Sequence, residues 1–202
     1  MISMKLEEAI ARRVREMLKE VPVHGWDHTF RVYAIAKKLA KKYKADELIV
    51  SIATLLHDVG RAYKGKRHHA LISAEIAKEW LEDEGVPKEI INAVCKAILA
   101  HSFSLGYEAD TLEAKIVSDA DKLDAIGAIG IARCFMESTL RKRGISETIK
   151  HFNEKLLKLK DLMYTEEAKK MALKRHKFML YFLSQLKEEL REATIDDDPQ
   201  LL

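Results

Sequence analysis

The stretch Leu48-Ile-Val-Ser-Ile-Ala-Thr-Leu-Leu-His-Asp-Val-Gly60 decides how this chain folds. Its apolar residues recur at intervals of three and four, which predicts a buried helix. The helix carries His57 and Asp58 at its end, where Gly60 terminates it. Neighbouring residues on a helix diverge by about 100°, so these two side chains can serve one ion only where the helix is finishing. Unpaired ionisable groups at a buried helix end are costly. We therefore expect the pair to bind a metal, with a hydrogen bond in the core as the alternative.

The rest of the chain shows the same helical spacing. Apolar residues recur at three and four positions almost throughout, and no alternating stretch bounded by turn residues stands out, which predicts an all-α protein. Asp110 with Glu113 resembles a capping box that opens a helix. A last long helix is predicted from about Thr165 to about Glu192. The predicted breaks between helices lie at Pro22 with Gly25, at Gly60 with Gly65, at Gly85 with Pro87 and at Gly144.

The length of 202 residues is enough for one good core and predicts a single domain, residues 1–202. Within it we place a core at about 20–145 and a C-terminal helical extension at about 146–192. A flexible acidic tail is expected at 193–202. The sequence shows no internal repeat and no low-complexity linker that would mark a boundary between domains.

Composition excludes several classes of protein. The 35 Lys and Arg residues nearly balance the 32 Asp and Glu residues, for a net charge of +3, so bulk charge gives no case for nucleic-acid binding. Cys95 and Cys134 stand singly in apolar helical stretches, which argues against a disulfide scaffold and a cysteine zinc site. The N-terminus lacks a basic start followed by an apolar run, and no window approaches the roughly 20 apolar residues of a membrane span. We expect a cytoplasmic protein without a membrane partner.

Other histidine and aspartate residues near predicted helix ends complete a candidate metal site with the His57-Asp58 pair. His28 and an aspartate from the segment 119–124 would give two imidazoles and two carboxylates. This mixed ligand set can hold a divalent cation and leave positions open for water and substrate. Asp119 and Asp121 lie about 200° apart around a helix, whereas Asp121 and Asp124 share a face. Spacing alone leaves two alternatives, Asp121 with Asp124 nearby or Asp119 alone.

Three motifs in chain order resemble the signatures of the HD-domain metal-dependent phosphohydrolases. They read His24-Gly-Trp-Asp-His28-Thr-Phe-Arg31-Val32, Leu56-His57-Asp58-Val-Gly60 and Asp119-Ala-Asp121-Lys-Leu-Asp124-Ala-Ile-Gly127. Most of the chain is similar to the compact single-domain branch of that superfamily. The resemblance implies a helical bundle of the HD-domain type. It also implies that the metal ligands are His28, His57, Asp58 and Asp121, and so favours Asp121 over Asp119.

The resemblance also bears on the number of metal ions. His69 and His101 occupy places similar to the further histidines of two-metal members. The lysine that such members often carry after the His-Asp pair is Arg61 here, and the glutamate that bridges two metals has no clear counterpart. We therefore expect one metal ion per chain. The expected catalytic residues are Asp58, Arg61, His69 and His101.

Several residues near the motifs are candidates for substrate binding. Arg61 and Lys64 follow the His-Asp pair in a basic loop that contains glycine, a suitable place for contacts with phosphate. Arg31 has two alternatives, a phosphate contact or an ion pair with a core carboxylate. His24 is expected in a loop, with a substrate role or a role in orienting a ligand. Arg133 reaches a phosphate if Gly127 and Gly130 make room for substrate, whereas close helix packing is the alternative. Lys66, Arg67 and His68 are expected to be solvent-exposed loop residues.

The function expected from these residues is metal-assisted hydrolysis of a phosphate ester or anhydride in a small molecule, most plausibly a nucleotide. The alternative is a metal-binding module that senses a nucleotide without turnover. Mixed imidazole and carboxylate ligands suit manganese, iron, cobalt, nickel or zinc, with magnesium also open, and we take manganese as the working assumption. A homodimer stays open, and no nucleic-acid partner is expected.

Overall fold

The structure is a computed structural model that describes residues 2–193, apart from the side chains of residues 2, 3 and 103. It confirms the all-α prediction, because the described residues form helices and no strand. The predicted acidic tail lies, from residue 194 onward, outside the described residues. The α-helices are α1 (Ile2–Met17), α2 (Trp26–Tyr43), α3 (Glu47–Leu56), α4 (His69–Asp83), α5 (Lys88–His101), α6 (Leu112–Asp124), α7 (Gly127–Leu140), α8 (Ile145–Glu154) and α9 (Glu166–Glu192). Short 3₁₀ helices occupy Val59–Ala62, Phe103–Leu105 and Leu156–Leu162.

Helix α3 is the central element of the first part of the chain. Its residues from Val50 to Leu56 are all buried, and α1, α2, α4 and α5 pack against it. A helix that is apolar on every side needs this kind of enclosure. Asp46 caps its N-terminus by accepting hydrogen bonds from the backbone N–H groups of Leu48, at 2.9 Å, and Ile49, at 3.1 Å. The end of this helix therefore places the following residues, His57 and Asp58, in the protein interior.

The predicted breaks coincide with the observed helix ends. Pro22 and Gly25 lie between α1 and α2, Gly85 and Pro87 lie between α4 and α5, and Gly144 precedes α8. The last helix begins after Thr165, whose side chain accepts from the backbone N–H of Ala168, and it ends at Glu192 as predicted.

The predicted capping box at the start of α6 is wrong. Thr111, not Asp110, accepts from the backbone N–H of Ala114, at 3.1 Å. Glu113 instead accepts from the backbone N–H of Asp46, at 3.1 Å, and so links α6 to the start of α3.

The chain packs into two compact units, the first ending at Asp121 and the second beginning at Lys122. In the second unit α7 packs against α9, and both α8 and α9 pack against the 3₁₀ helix Leu156–Leu162. The prediction of a single domain with an extension from about residue 146 stays a prediction. Among the described residues, the structure contains no helix with the length and apolar character that crossing a membrane requires.

Glycines of the second unit make close contacts. Gly127 has a positive φ of 79°, and the aliphatic stem of Arg175 lies against it, where an added Cβ would meet Cγ at 2.9 Å. At Gly130 an added Cβ would meet the carbonyl oxygen of Ala125 at 2.3 Å. The first contact is close packing between α7 and α9, and the second lies within the link that precedes α7.

Candidate metal centre

Side chains from the ends of three helices converge in the first unit. His28 lies in the first turn of α2, His57 and Asp58 directly follow α3, and Asp121 lies in the last turn of α6. The first three are buried, with relative exposures of 1%, 0% and 2%, whereas the Asp121 side chain is 28% exposed. The predicted ligands thus form a buried cluster with one accessible member.

The ring nitrogens of His28 and His57 lie close to each other and to oxygens of both Asp58 and Asp121. His28 Nε2 is 3.2 Å from His57 Nε2, 3.6 Å from Asp58 Oδ2 and 3.4 Å from Asp121 Oδ1. His57 Nε2 is 3.8 Å from Asp58 Oδ2 and 3.9 Å from Asp121 Oδ1. Atoms that bind one ion at about 2.1 Å are separated by about 3.0–3.4 Å. Shifts of a few tenths of an ångström would bring the two imidazole nitrogens to this spacing from each carboxylate oxygen.

The helix backbone orients two of the imidazoles. His57 Nδ1 donates to the Thr54 carbonyl oxygen at 2.7 Å, and His101 Nδ1 donates in the same way to the Ile98 carbonyl oxygen. In each neutral ring this bond leaves Nε2 as the lone-pair nitrogen. Both histidines therefore present the nitrogen that a metal or a proton requires, as in metal sites where a backbone carbonyl fixes the tautomer.

Asp58 is the most contacted group of the cluster. Its Oδ2 lies 3.0 Å from His24 Nδ1 and 2.7 Å from Arg61 Nε, and its Oδ1 lies 3.1 Å from His69 Nε2. Yet Asp58 Oδ1 and Arg61 Nε are buried atoms without a well-aligned hydrogen bond from any described residue. A buried carboxylate oxygen left in this state is costly. Because Oδ2 is the oxygen nearest His28 and His57, a metal ion there would satisfy Oδ1 as well only by binding both oxygens of this carboxylate.

Asp121, rather than Asp119, belongs to the cluster. Asp121 Oδ1 faces both His28 and His57, whereas Asp119 is fully buried and joins none of the groups of ligand atoms found within 4.8 Å of one another among the described residues. This placement agrees with the opposite orientations expected from the helical spacing.

Three overlapping groups of ligand atoms could hold an ion in this region. They are His24 with His28 and Asp58, His28 with His57 and Asp121, and His57 with Asp58 and His101. The middle group consists only of expected ligands. The outer two show that His24 and His101 also approach the cluster, from opposite sides of Asp58.

Charges and burial set the protonation states of the cluster. Burial lowers the pKa of His57 to about 3, against the opposing effect of Asp58. Burial acts to raise the pKa of Asp58, but Arg61 and His57 outweigh it and hold this pKa well below its usual range. Burial also opposes ionisation of Asp121, yet His57 and His28 lower its pKa to about 2. At neutral pH the cluster presents an uncharged His57 and two carboxylates, the state that binds a metal.

Two glycines allow the close approach that builds the cluster. At Gly60 an added Cβ would meet the His69 carbonyl oxygen at 2.2 Å, and the Gly60 N–H donates to Ser73 Oγ at 2.9 Å. This contact brings the start of α4, and with it His69, against Asp58. At Gly25 an added Cβ would meet the Val21 carbonyl oxygen at 2.3 Å, so the tight turn that carries His24 also requires glycine.

The remaining predicted residues lie in different surroundings. Arg31 is half-buried on α2, and Lys64 is exposed in the segment between the 3₁₀ helix Val59–Ala62 and α4. Arg133 lies in the second unit, where it donates to Asp124 Oδ2 at 2.9 Å in a buried ion pair.

Sequence reasoning missed a polar group beside the histidines. His68 lies in the loop before α4 as predicted, but it is partly buried rather than exposed, and its ring accepts from the backbone N–H of Ala70. His68 Nε2 also contacts the hydroxyls of Ser102 and Ser104. A histidine directly before a predicted helix is a detectable N-cap signal, but the serines lie more than thirty residues away and no local pattern connects them.

The fold and the cluster together define an HD-domain protein. The HD domain family matches residues 25–126, and the chain belongs to this family. The resemblance to HD-domain proteins that the three motifs indicated is therefore confirmed. Solved structures of the same kind include an HD-superfamily hydrolase from Bacillus thuringiensis, with a TM-score of 0.74 and 32% identity over 95% of this chain and 100% of that chain.

Particular relatives extend over nearly the whole chain. The sequence is 37% identical over 199 residues to the uncharacterized protein YpgQ of Bacillus subtilis, covering 94% of this chain and 96% of YpgQ. The crystal structure of YpgQ in complex with ADP matches with a TM-score of 0.80 and 32% identity, covering 100% of this chain and 99% of that chain. A predicted HD superfamily hydrolase from an uncultured Thermotogales bacterium matches with a TM-score of 0.69 and 33% identity over 90% of this chain and 91% of that chain.

Proposed function

We propose that this protein is a metal-dependent phosphohydrolase that cleaves a phosphate ester or anhydride bond of a nucleotide. The observation that carries the proposal is the convergence of His28, His57, Asp58 and Asp121 with a buried oxygen of Asp58 left without an aligned hydrogen bond from any described residue. Family membership supports hydrolysis, and the complex of YpgQ with ADP supports a nucleotide ligand.

The four ligands would hold one divalent cation, with manganese as our choice. Such an ion acidifies a bound water and neutralises phosphoryl oxygens. The two carboxylates offset the charge of the ion, and the Nδ1 bond to the Thr54 carbonyl keeps His57 Nε2 directed at the ligand set. The partial exposure of Asp121 gives the cluster an accessible side, where a substrate can approach.

Three further side chains are proposed to act on the substrate. His101 Nε2 lies 3.8 Å from Asp58 Oδ1 and carries the lone pair of its ring, so it can accept a proton beside the reacting centre. Burial acts to lower the pKa of His101, but the nearby Asp58 and Asp121 carboxylates raise it. His69 approaches Asp58 Oδ1 from α4, and the Arg61 guanidinium, 31% exposed, can meet the charge of a phosphoryl group.

Further parts of the proposal are the residues that contact the substrate around the cluster and the cellular compartment of the protein. His24, Arg31 and Lys64 are proposed to contact the substrate. The free thiols Cys95 and Cys134 suit the reducing cytoplasm, where we place the protein.

The test is a release screen for phosphate and pyrophosphate on the purified chain. Nucleoside mono-, di- and triphosphates and cyclic dinucleotides are offered with manganese, iron, cobalt, nickel, zinc or magnesium in turn. We expect metal-dependent release from at least one nucleotide class, and none from the matched Asp58→Ala variant. Tight ADP binding without release in any metal would instead favour a nucleotide sensor.

A further inference from the structure

Asp121 is the proposed ligand that has the fewest neighbouring groups to fix its side chain. Asp58 is buried and lies 2.7 Å from Arg61 Nε, whereas the Asp121 side chain is 28% exposed. Among the described residues, the ionic partners of the Asp121 carboxylate are the cluster members His28, at 3.4 Å, and His57, at 3.9 Å. Carboxylates that bind a metal are ordinarily held by hydrogen bonds from groups around the site. The direction of the Asp121 side chain therefore depends on the backbone of its own helix.

The last turn of α6, which carries Asp121, is closed by long backbone hydrogen bonds. The carbonyl groups at a helix C-terminus have no partner four residues further along. Here the Ala125 N–H donates to the Lys122 carbonyl oxygen at 3.2 Å, and the Ile126 N–H donates to the Leu123 carbonyl oxygen at 3.3 Å. Both distances lie at or beyond the long end of the range for such bonds. The backbone alone therefore holds this turn weakly.

Arg175 of α9 gives the same turn a further donor. Its Nη1 donates to the Leu123 carbonyl oxygen, two residues after Asp121. A cationic side chain at a helix C-terminus satisfies a free carbonyl and also meets the negative end of the helix dipole. Because α6 is one continuous helix, this bond restrains the backbone from which the Asp121 side chain projects.

Gly127 leaves room for the Arg175 side chain to reach the end of α6. An added Cβ at this glycine would meet Cγ, Cβ and Cδ of Arg175 at 2.9, 3.0 and 3.2 Å. The φ of 79° at Gly127 lies in the left-handed region, which also favours glycine. Two positions of the chain, 127 and 175, are thus matched for the contact with the Leu123 carbonyl.

We infer that Arg175 is a positioning residue for Asp121, because by holding the last turn of α6 it keeps Asp121 Oδ1 at the spacing that a bound ion requires. This inference rests on the ligand set of the proposed function. It also predicts the sign of the effect. Removing a positive charge from the protein should by itself strengthen the binding of a cation, whereas removing a positioning residue should weaken it.

The test is a calorimetric titration of manganese into the full chain, with Asp121 present or replaced by Asn. Arg175→Met keeps an unbranched stem and loses the donor. We expect it to weaken manganese binding about tenfold, the lower end of the effect of groups that orient ligands. In the Asp121→Asn protein the same substitution should change the affinity by less than about twofold, because the ligand through which Arg175 acts is gone. Zinc, which imidazole sites bind more tightly, replaces manganese if the Asp121→Asn protein binds manganese too weakly to measure.

Three further variants separate positioning from lost stability and lost charge. Arg175→Lys keeps a stem and a charged donor for the carbonyl, so its affinity should stay within about threefold of the wild type. Arg133→Ala breaks a buried ion pair and should lower the melting temperature without weakening metal binding. Lys174→Met removes an exposed charge from α9 and should leave the affinity unchanged.

Several results would overturn the inference. They are an unchanged or tighter affinity in Arg175→Met, the same loss with and without Asp121, and an equal loss in Arg175→Lys. An Asp121→Asn protein that binds manganese as tightly as the wild type would instead show that the ligand set of the proposed function is wrong.

Discussion

Two buried aspartates of this protein have opposite surroundings. Asp124, in the second unit, is 1% exposed and accepts a hydrogen bond from Arg133 at 2.9 Å. Asp58, in the first unit, is 2% exposed and is approached by five imidazoles and one arginine, yet its Oδ1 has no aligned hydrogen bond from the described residues. A buried charge that the protein satisfies is consistent with a structural role. A buried charge with an oxygen that no aligned donor satisfies indicates that a ligand completes the site.

The largest effect is expected from replacing Asp58, the most contacted residue of the cluster. Asp58→Ala removes a carboxylate that belongs to two of the three groups of ligand atoms, so metal content should fall to near zero and activity should fall below detection. Elemental analysis measures the first and phosphate release the second, while circular dichroism checks that the helical fold is retained.

Arg133→Ala is the matched control in the other region. Breaking a buried pair costs about 3–5 kcal/mol of stability, so this variant should melt at a lower temperature while keeping full metal content. Full metal content in Asp58→Ala would show that the ligand assignment is wrong.

The next largest effect is expected when substitutions of two aspartates on α6, Asp121 and Asp119, are compared. Asp121→Asn should lower activity by about two orders of magnitude or more, because a ligand carboxylate is lost. Asp119→Asn, on the opposite side of α6, should change activity only a few-fold. Steady-state rates with saturating manganese provide the measurement, and the reverse ranking would remove Asp121 from the ligand set.

Arg61 tests whether the cationic side of the cluster takes part in the chemistry. Arg61→Ala should reduce kcat/KM by roughly ten- to a thousand-fold with metal retained, the scale of one charged contact in the transition state. Lys66→Ala removes a nearby exposed charge and should stay within about twofold. Similar losses in both variants would indicate a general effect of loop charge rather than a contact by Arg61.

His69 and His101 test the expectation of one ion per chain. If each substitution by Ala leaves one metal per chain and lowers only the rate, both histidines act on the substrate. The wild type should also bind one ion per chain in a metal titration. Two ions in the wild type, with one lost in each variant, would contradict the mononuclear site.

The sequence-based predictions are accurate where the interacting residues are close in the sequence, and they fail where the residues are distant. Helix α9 was predicted to within a residue because its apolar spacing and its Thr165 cap are local signals. The capping box at Asp110 was wrong because Glu113 bonds to Asp46, a residue 67 positions away that no window contains.

The site shows the same division between local and distant contacts. The four ligands could be predicted because each lies at a helix end, next to a recognisable helix break or within a motif. The contact of His68 with Ser104 could not be predicted, because it joins residues 36 positions apart through side chains common in any loop. The serines carry no spacing pattern, and their position beside His68 depends on how α4 and α5 meet in the folded protein.

The smallest expected effect is a pH dependence that distinguishes the cluster from the protein surface. In metal-free protein His57 stays uncharged down to a pKa of about 3, whereas in the unfolded chain it takes up a proton near the ordinary histidine pKa of 6.5. Between these pH values the unfolded state binds one proton more than the folded state, so the free energy of unfolding falls as the pH falls, by about 1.4 kcal/mol per pH unit.

Denaturant unfolding with a chelator present, from pH 6.5 to 4.5, measures this slope. His57→Gln should reduce it, whereas His176→Gln, at a half-buried position on α9, should change it little. Equal slopes in all three proteins would mean that His57 is not held neutral by burial in the folded cluster.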